Sequence, residues 1–101
     1  MVEFENRAVV PPHVLVRHLD GESVLLNLET ERYFGLDSTG TRMWELATTS
    51  PTIESAYQKL MEEFEVEPGV LRSHLTDLLS QLKENGLLNV LPADVETTPA
   101  I

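Results

Sequence analysis

Few residues of this 101-residue sequence could do chemistry. The three histidines, His13, His18 and His74, form no metal-ligand set with each other or with cysteine, which the chain lacks. The serines lie in no nucleophile-elbow motif, and the five glycines form no phosphate-binding loop. We therefore predict a protein with no catalytic residue, no bound metal and no cofactor.

The charge of the chain restricts its partners. Seven Lys and Arg stand against seventeen Asp and Glu, which gives a formal net charge of −10. Nucleic-acid phosphates and anionic membrane surfaces attract positively charged proteins, so we expect neither as a partner. The first residues include acidic side chains where an export signal is positive, and the sequence contains no Cys. These features predict a cytoplasmic protein.

The first half of the sequence predicts three short strands that would carry any binding residues. A run rich in β-branched residues at 14–19 is followed by an Asp-Gly pair, which favours a tight hairpin turn. Residues 22–28 return antiparallel, and a polar turn at 29–31 leads to a third strand at 32–36. The result is an antiparallel meander.

The second half predicts three helices. The first follows the capping residues at 37–39 and runs to Ala47. The second starts at Pro51, because proline is tolerated at the first helical position, and its apolar residues recur every three or four positions to Phe64. The third extends from Pro68 to a left-handed C-cap at Gly86. The predicted fold class is α+β, with a three-stranded antiparallel meander followed by three helices, similar to a winged helix-turn-helix.

The folded domain is predicted to span residues 13–91. Pro11 and Pro12 end the N-terminal segment 1–12 and separate its first ten residues from the domain, and Pro92 opens a polar segment at 92–101. Neither end has the period of a helix or a strand, so we expect two flexible tails.

A helix-turn-helix raises the hypothesis of a transcription factor. In the third helix, however, Arg72 and Lys83 are balanced by Asp77 and Glu84, and the preceding helix is acidic. Proteins that read DNA present Arg and Lys to phosphates and bases. The charge pattern therefore disfavours DNA binding.

The third strand and the third helix are the strongest candidates for a binding site. The third strand ends the meander, so one of its edges can accept another strand. The third helix is apolar on more than one face, and an extended peptide could place alternate side chains between strand and helix. Two alternatives stay open. Phe34, Leu75, Leu78 and Leu82 could simply complete the core, and the open edge could pair with a second copy of the chain.

The segments LLNLETERYFGLD, GTRMW and ENGLL, in this order and spacing, resemble the PqqD-like family, also called RiPP recognition elements. The resemblance covers about residues 14–88. It implies a non-catalytic module that binds the leader segment of a ribosomally made precursor peptide and presents it to modifying enzymes. It also implies that the leader adds as an antiparallel strand to the third strand, against the third helix. The implied peptide-binding residues are Glu31, Arg32, Tyr33, Phe34, Gly35, Val70, Leu71, His74, Leu75 and Leu78.

The partner enzyme is implied by a finer resemblance. The segment GLDSTGTRMWEL is more similar to the discrete elements of lasso-peptide systems than to PqqD proper. That similarity implies delivery of the precursor to a separate cysteine protease, which removes the leader, or to another maturation enzyme. The alternative is a precursor carrier in quinone-cofactor biosynthesis that works with a radical-SAM enzyme. The acidic pair Glu62 and Glu63 is a candidate docking face for a basic patch on the enzyme.

Overall fold

The computed structural model describes residues 2–92. These residues form a three-stranded antiparallel sheet, three helices and a separate two-stranded sheet. The predicted α+β class is confirmed, as is the order of a three-stranded meander followed by three helices. In chain order the elements are β1 (Asn6–Val9), β2 (Val14–Leu19), β3 (Glu22–Asn27), β4 (Arg32–Leu36), α1 (Ser38–Thr49), α2 (Ile53–Glu63), α3 (Pro68–Glu84) and β5 (Asn89–Pro92).

The first turn of the meander is the predicted two-residue hairpin. Asp20 and Gly21 both have positive φ, 52° and 83°, as the hairpin requires. They pair Leu19 with Glu22 and so set the register of β2 against β3.

The second turn is organised by the buried side chain of Asn27. Its Oδ1 accepts hydrogen bonds from the backbone N–H groups of Glu29 (2.9 Å) and Thr30 (3.2 Å). Its Nδ2 donates to the Asn85 carbonyl (3.1 Å), which ties the turn to the end of α3. Gly86 follows with φ 71°, the predicted left-handed cap, and a Cβ there would lie 2.8 Å from the Asn27 Nδ2.

The start of α2 differs from the predicted start at Pro51. Thr52 is the N-cap, and its Oγ1 accepts a hydrogen bond from the Ser55 N–H (3.0 Å). The helix therefore begins at Ile53. A hydroxyl that satisfies a free helical N–H fixes the start, whereas proline is only tolerated near it.

The core lies between one face of the meander and the inward stripes of the helices. Leu36 ends β4 inside this core, and Trp44 of α1 is buried with it. The spacing of the α3 leucines places one row of them inwards, as the helical period predicts. The largest fully buried side chains are Leu25, Ile53, Leu60, Leu75, Leu79, Leu82 and Leu88.

The N-terminal segment differs from the tail that the sequence predicts. Val2, Phe4 and Ala8 are buried, and β1 pairs antiparallel with β5. The two strands have four residues each and lie at opposite ends of the chain, so neither shows a local period that would reveal it. Pro92 is the last residue of β5, and the rest of the predicted C-terminal tail, 93–101, lies outside the described residues.

Aromatic and cationic contacts hold the N-terminal segment on the helices. The Phe4 ring meets the Tyr57 ring edge to face, with centroids 5.6 Å apart. The Arg72 guanidinium lies 4.0 Å from the Phe4 centroid and pairs with Glu54 (3.5 Å). Such an arrangement adds a cation–π attraction to the burial of the ring.

Between residues 2 and 92, no helix has the length and apolar character needed to cross a membrane.

Candidate functional site

The outer edge of β4 has no strand partner within residues 2–92, because the sheet order is β2-β3-β4. The phase of the ladder follows from the Leu28 N–H, which donates to the His13 carbonyl (2.9 Å). Antiparallel strands alternate between residues bonded to one neighbour and residues bonded to the other. With the observed register, Arg32, Phe34 and Leu36 bond to β3.

The free edge therefore presents the backbone groups of Tyr33 and Gly35. An added strand would find their N–H and C=O groups unpaired and aligned for antiparallel ladder bonds. The Tyr33 side chain is 76% exposed, and a Cβ on Gly35 would meet nothing within 4 Å. Phe34 points to the opposite side, where it is half-buried and packs against the core.

The predicted α3 residues divide into core and surface. Leu71 is 2% exposed and Leu75 is fully buried, so both are core residues. Val70 and His74 are exposed, and Leu78 is half-buried against the core. These last three residues recur every four positions and form one stripe, which we call the α3 stripe. Helical spacing alone did not separate them from the buried pair, because both rows belong to one wide apolar face.

A polar recess of about 610 Å³ joins the start of β4 to the end of α3. Arg32 lines it from the strand and Glu84 from the helix. His13 donates from Nε2 to the Gly86 carbonyl (3.0 Å), and its Nδ1 lies 3.8 Å from a Glu29 carboxylate oxygen. Glu31, the first of the predicted peptide-binding residues, is exposed beside this recess with φ 62°. The recess thus marks where strand and helix approach each other.

The outward face of the meander carries an apolar surface that the sequence analysis missed. Leu15, Arg17, Val24, Leu26 and Tyr33 line a recess of about 320 Å³ there, and we call these residues the outer sheet surface. The Leu15 side chain is 43% exposed. The signal was present in the sequence, since β2 and β3 place apolar residues on both faces rather than alternating with polar ones.

Within the described residues, only one member of the acidic pair of α2, Glu63, makes an ion pair. Arg42 donates from Nε and Nη2 to the two Glu63 carboxylate oxygens, at 2.8 and 2.6 Å. These hydrogen bonds lower the pKa of Glu63 and raise the pKa of Arg42. Glu62 is exposed and makes no ion pair within residues 2–92. Of the predicted docking pair, only Glu62 has an uncommitted carboxylate.

The three histidines are spread over the described structure. His13 lies at the polar recess, His18 is exposed on β2, and His74 belongs to the α3 stripe. Within residues 2–92 no three His, Asp or Glu side chains converge to hold a metal ion.

Known proteins resemble this chain in sequence and in structure. Residues 22–88 match the family described as coenzyme PQQ synthesis protein D, or PqqD. A comparison with curated protein sequences gives no match.

Two solved structures share the fold. TbiB1, in complex with the TbiA(beta) leader peptide, is 34% identical, with a TM-score of 0.72 over 80% of this chain and 94% of TbiB1. A lasso peptide synthetase B1 complexed with the leader peptide is 27% identical, with a TM-score of 0.71 over 82% of this chain and 98% of that protein. The family match spans most of the chain and agrees with the structural likeness. The chain therefore belongs to the PqqD family, as the resemblance of its sequence predicted.

Proposed function

We propose that this protein binds the leader segment of a ribosomally made precursor peptide, in a lasso-peptide system. The observation that carries the proposal is the open edge of β4, where the backbone groups of Tyr33 and Gly35 are unpaired and accessible. The likeness to two B1 proteins in complex with leader peptides supports it.

The leader adds to β4 as an antiparallel strand. Ladder bonds to Tyr33 and Gly35 supply the register, and they are available to any sequence that can extend. Selectivity comes from side chains of the leader that reach Phe34 and the α3 stripe. Burial of apolar side chains there supplies most of the affinity, against the cost of ordering the leader.

The protein acts as a recognition partner and catalyses no step itself. It holds the leader while a separate cysteine protease, or another maturation enzyme, acts on the bound precursor. The outer sheet surface is the better candidate for docking that enzyme than the acidic pair of α2. It is apolar and exposed, and it includes Tyr33, whose backbone belongs to the peptide-binding edge. A contiguous exposed apolar surface of this kind is typical of protein interfaces.

The test is a fluorescence-anisotropy titration of labelled leader peptide with Tyr33→Pro. Proline removes the Tyr33 N–H from the free edge and leaves the β3–β4 ladder intact, because that N–H points away from β3. We expect affinity to fall about tenfold, the loss of one hydrogen bond together with the clash of the ring with an added strand.

The matched control is His18→Pro. By the same alternation the His18 N–H points to the outer edge of β2, so this variant places proline on the opposite edge of the same sheet. Circular dichroism confirms that both variants fold. Unchanged affinity in a folded Tyr33→Pro variant, or a greater loss in His18→Pro, would refute strand addition to β4.

The second candidate is a precursor carrier in quinone-cofactor biosynthesis, favoured by the family description of the matched residues. The same titration separates the two candidates, since the protein would then bind the quinone precursor in preference to a lasso leader.

A further inference from the structure

We infer that a recess between β1 and the junction of α1 with α2 binds a carboxylate. The recess has a volume of about 500 Å³, and Arg7, Val10 and Ser50 are among the residues that line it. It shares no lining residue with the outer sheet surface or with the polar recess beside β4. Arg7 also precedes the residues that match the family.

Arg7 supplies the charge of this recess. Although the chain has a net charge of −10, Arg7 makes no ion pair with any carboxylate within residues 2–92. Its Nε is buried and has no acceptor there, while the other lining residues are all neutral. A partly buried guanidinium without a partner favours an anion, and its planar N–H groups match the two oxygens of a carboxylate.

Ser50 supplies a second donor. The residue is only 7% exposed, and its Oγ is buried with no hydrogen-bond partner in the described part of the chain. The neighbouring hydroxyls are committed, since Thr48 donates to the Trp44 carbonyl (2.8 Å) and Thr49 to the Glu45 carbonyl (2.6 Å). Buried polar groups are nearly always hydrogen-bonded, so we take the two orphaned groups among the lining residues of this recess as donors to a ligand.

The helix ends do not decide the sign of that ligand. The C-terminal end of α1 carries partial negative charge, and the N-terminal end of α2 carries partial positive charge. Ser50 and Pro51 connect these two ends, so their contributions oppose each other at the recess. The full charge of Arg7 therefore determines that the ligand is anionic.

Two sources could supply this carboxylate. One is the chain itself, because Asp94 and Glu96 follow Pro92, which pairs with Asn6 beside Arg7. The other is an acidic group on a separate molecule. The experiment therefore needs one arm for each source.

The probe is sodium acetate, titrated into the ¹⁵N-labelled full chain, with sodium chloride at the same ionic strength as reference. Where no carboxylate of the chain occupies the recess, acetate but not chloride should shift the Ser50 backbone N–H and the Arg7 Nε–H signals in a saturable way. Arg7→Gln should raise the half-saturating acetate concentration, read at the Ser50 N–H, about tenfold, since a charge-assisted hydrogen bond is lost. Ser50→Ala, read at the Arg7 Nε–H, should raise it several-fold, which covers the case in which Arg7→Gln does not fold. Lys59→Gln removes an exposed cation on α2 and should leave the response unchanged.

The double variant Asp94→Asn/Glu96→Gln separates the two sources. If the chain's own carboxylates fill the recess, wild type ignores acetate and the double variant responds. If the ligand comes from another molecule, both proteins respond equally. No saturable response in either protein would overturn the proposal, and so would a response of unchanged affinity in a folded Arg7→Gln variant.

Discussion

Val70 and Leu71 are adjacent residues of α3 with opposite environments. Val70 is 44% exposed and belongs to the α3 stripe, whereas Leu71 is 2% exposed and belongs to the core. A charge at Leu71 would therefore lose its hydration inside the protein, and a charge at Val70 would stay in water when no peptide is bound.

We predict that Leu71→Glu destabilises the fold by more than about 3 kcal/mol, since it removes core packing and buries a carboxylate. Val70→Glu should change the free energy of unfolding by less than about 0.5 kcal/mol and weaken leader binding, because the peptide would desolvate the new charge. Urea unfolding and leader titration measure the two effects. A stable Leu71→Glu variant would show that Leu71 is not part of the core.

The ion pair between Arg42 and Glu63 gives a prediction with a defined pH range. Hydrogen bonds from Arg42 lower the pKa of Glu63 below its ordinary value of 4.5. A carboxyl group with a lowered folded-state pKa stabilises the fold above its unfolded-state pKa, and the contribution is lost as the pH falls through the folded-state value.

We therefore expect Glu63→Gln to be less stable than wild type at neutral pH, by the small amount typical of exposed ion pairs. The difference should disappear as the pH is lowered well below 4.5, the ordinary pKa of the group. Urea midpoints over that pH range measure it, with Glu62→Gln as the control that lacks an ion pair. A stability difference between Glu63→Gln and wild type that persists at a pH where Glu63 is protonated would contradict this account.

Among the elements, the N-terminal segment is integral to the domain. Phe4 is 5% exposed and lies against Tyr57 and Arg72, and the Glu54 N–H donates to the Phe4 carbonyl (2.7 Å). The N-terminal segment thus packs against α2 and α3, although it lies far from both helices in sequence.

Phe4→Ala should lower the free energy of unfolding by about 3–5 kcal/mol, the cost of removing a buried aromatic ring from a core. Glu3→Ala, at an exposed neighbouring position, should change it by less than about 0.5 kcal/mol. Chemical denaturation compares both with wild type. Equal stability of the two variants would mean that the segment does not contribute to the core.

The edge of β4 was predictable because a meander of three strands always leaves its last strand with one free side. The backbone groups that face this side were not predictable, since they depend on the β3–β4 register, which follows the turn organised by Asn27. Of the five predicted α3 residues, Leu71 and Leu75 pack inwards, while Val70, His74 and Leu78 remain candidates for the binding surface.

At the scale of the whole molecule, the acidic charge and the apolar outer sheet surface are separate features. The outer sheet surface lies on the meander, and the acidic side chains of α2 lie on another element. An enzyme that docks on the outer sheet surface would contact its apolar residues and Arg17, and not the acidic side chains of α2.

We predict that Leu15→Lys slows enzymatic leader removal several-fold while leader affinity stays unchanged, because a lysine would disrupt an apolar contact that the leader does not use. Glu62→Gln should leave both quantities unchanged. A leader-removal assay with the partner enzyme, paired with the anisotropy titration, tests the two variants. Normal removal with Leu15→Lys and slow removal with Glu62→Gln would move the docking face to α2.

The sequence by itself determined the three strands of the meander, the three helices, the open edge that ends the meander, and the net charge of −10. These features follow from local periods, turn dipeptides and charge, which require no knowledge of distant residues. The tertiary structure alone decided that residues 2–12 join the fold, that Leu71 and Leu75 are core, and that Arg7 and Ser50 share a recess. Each of these depends on contacts between residues far apart in sequence, which no local pattern encodes.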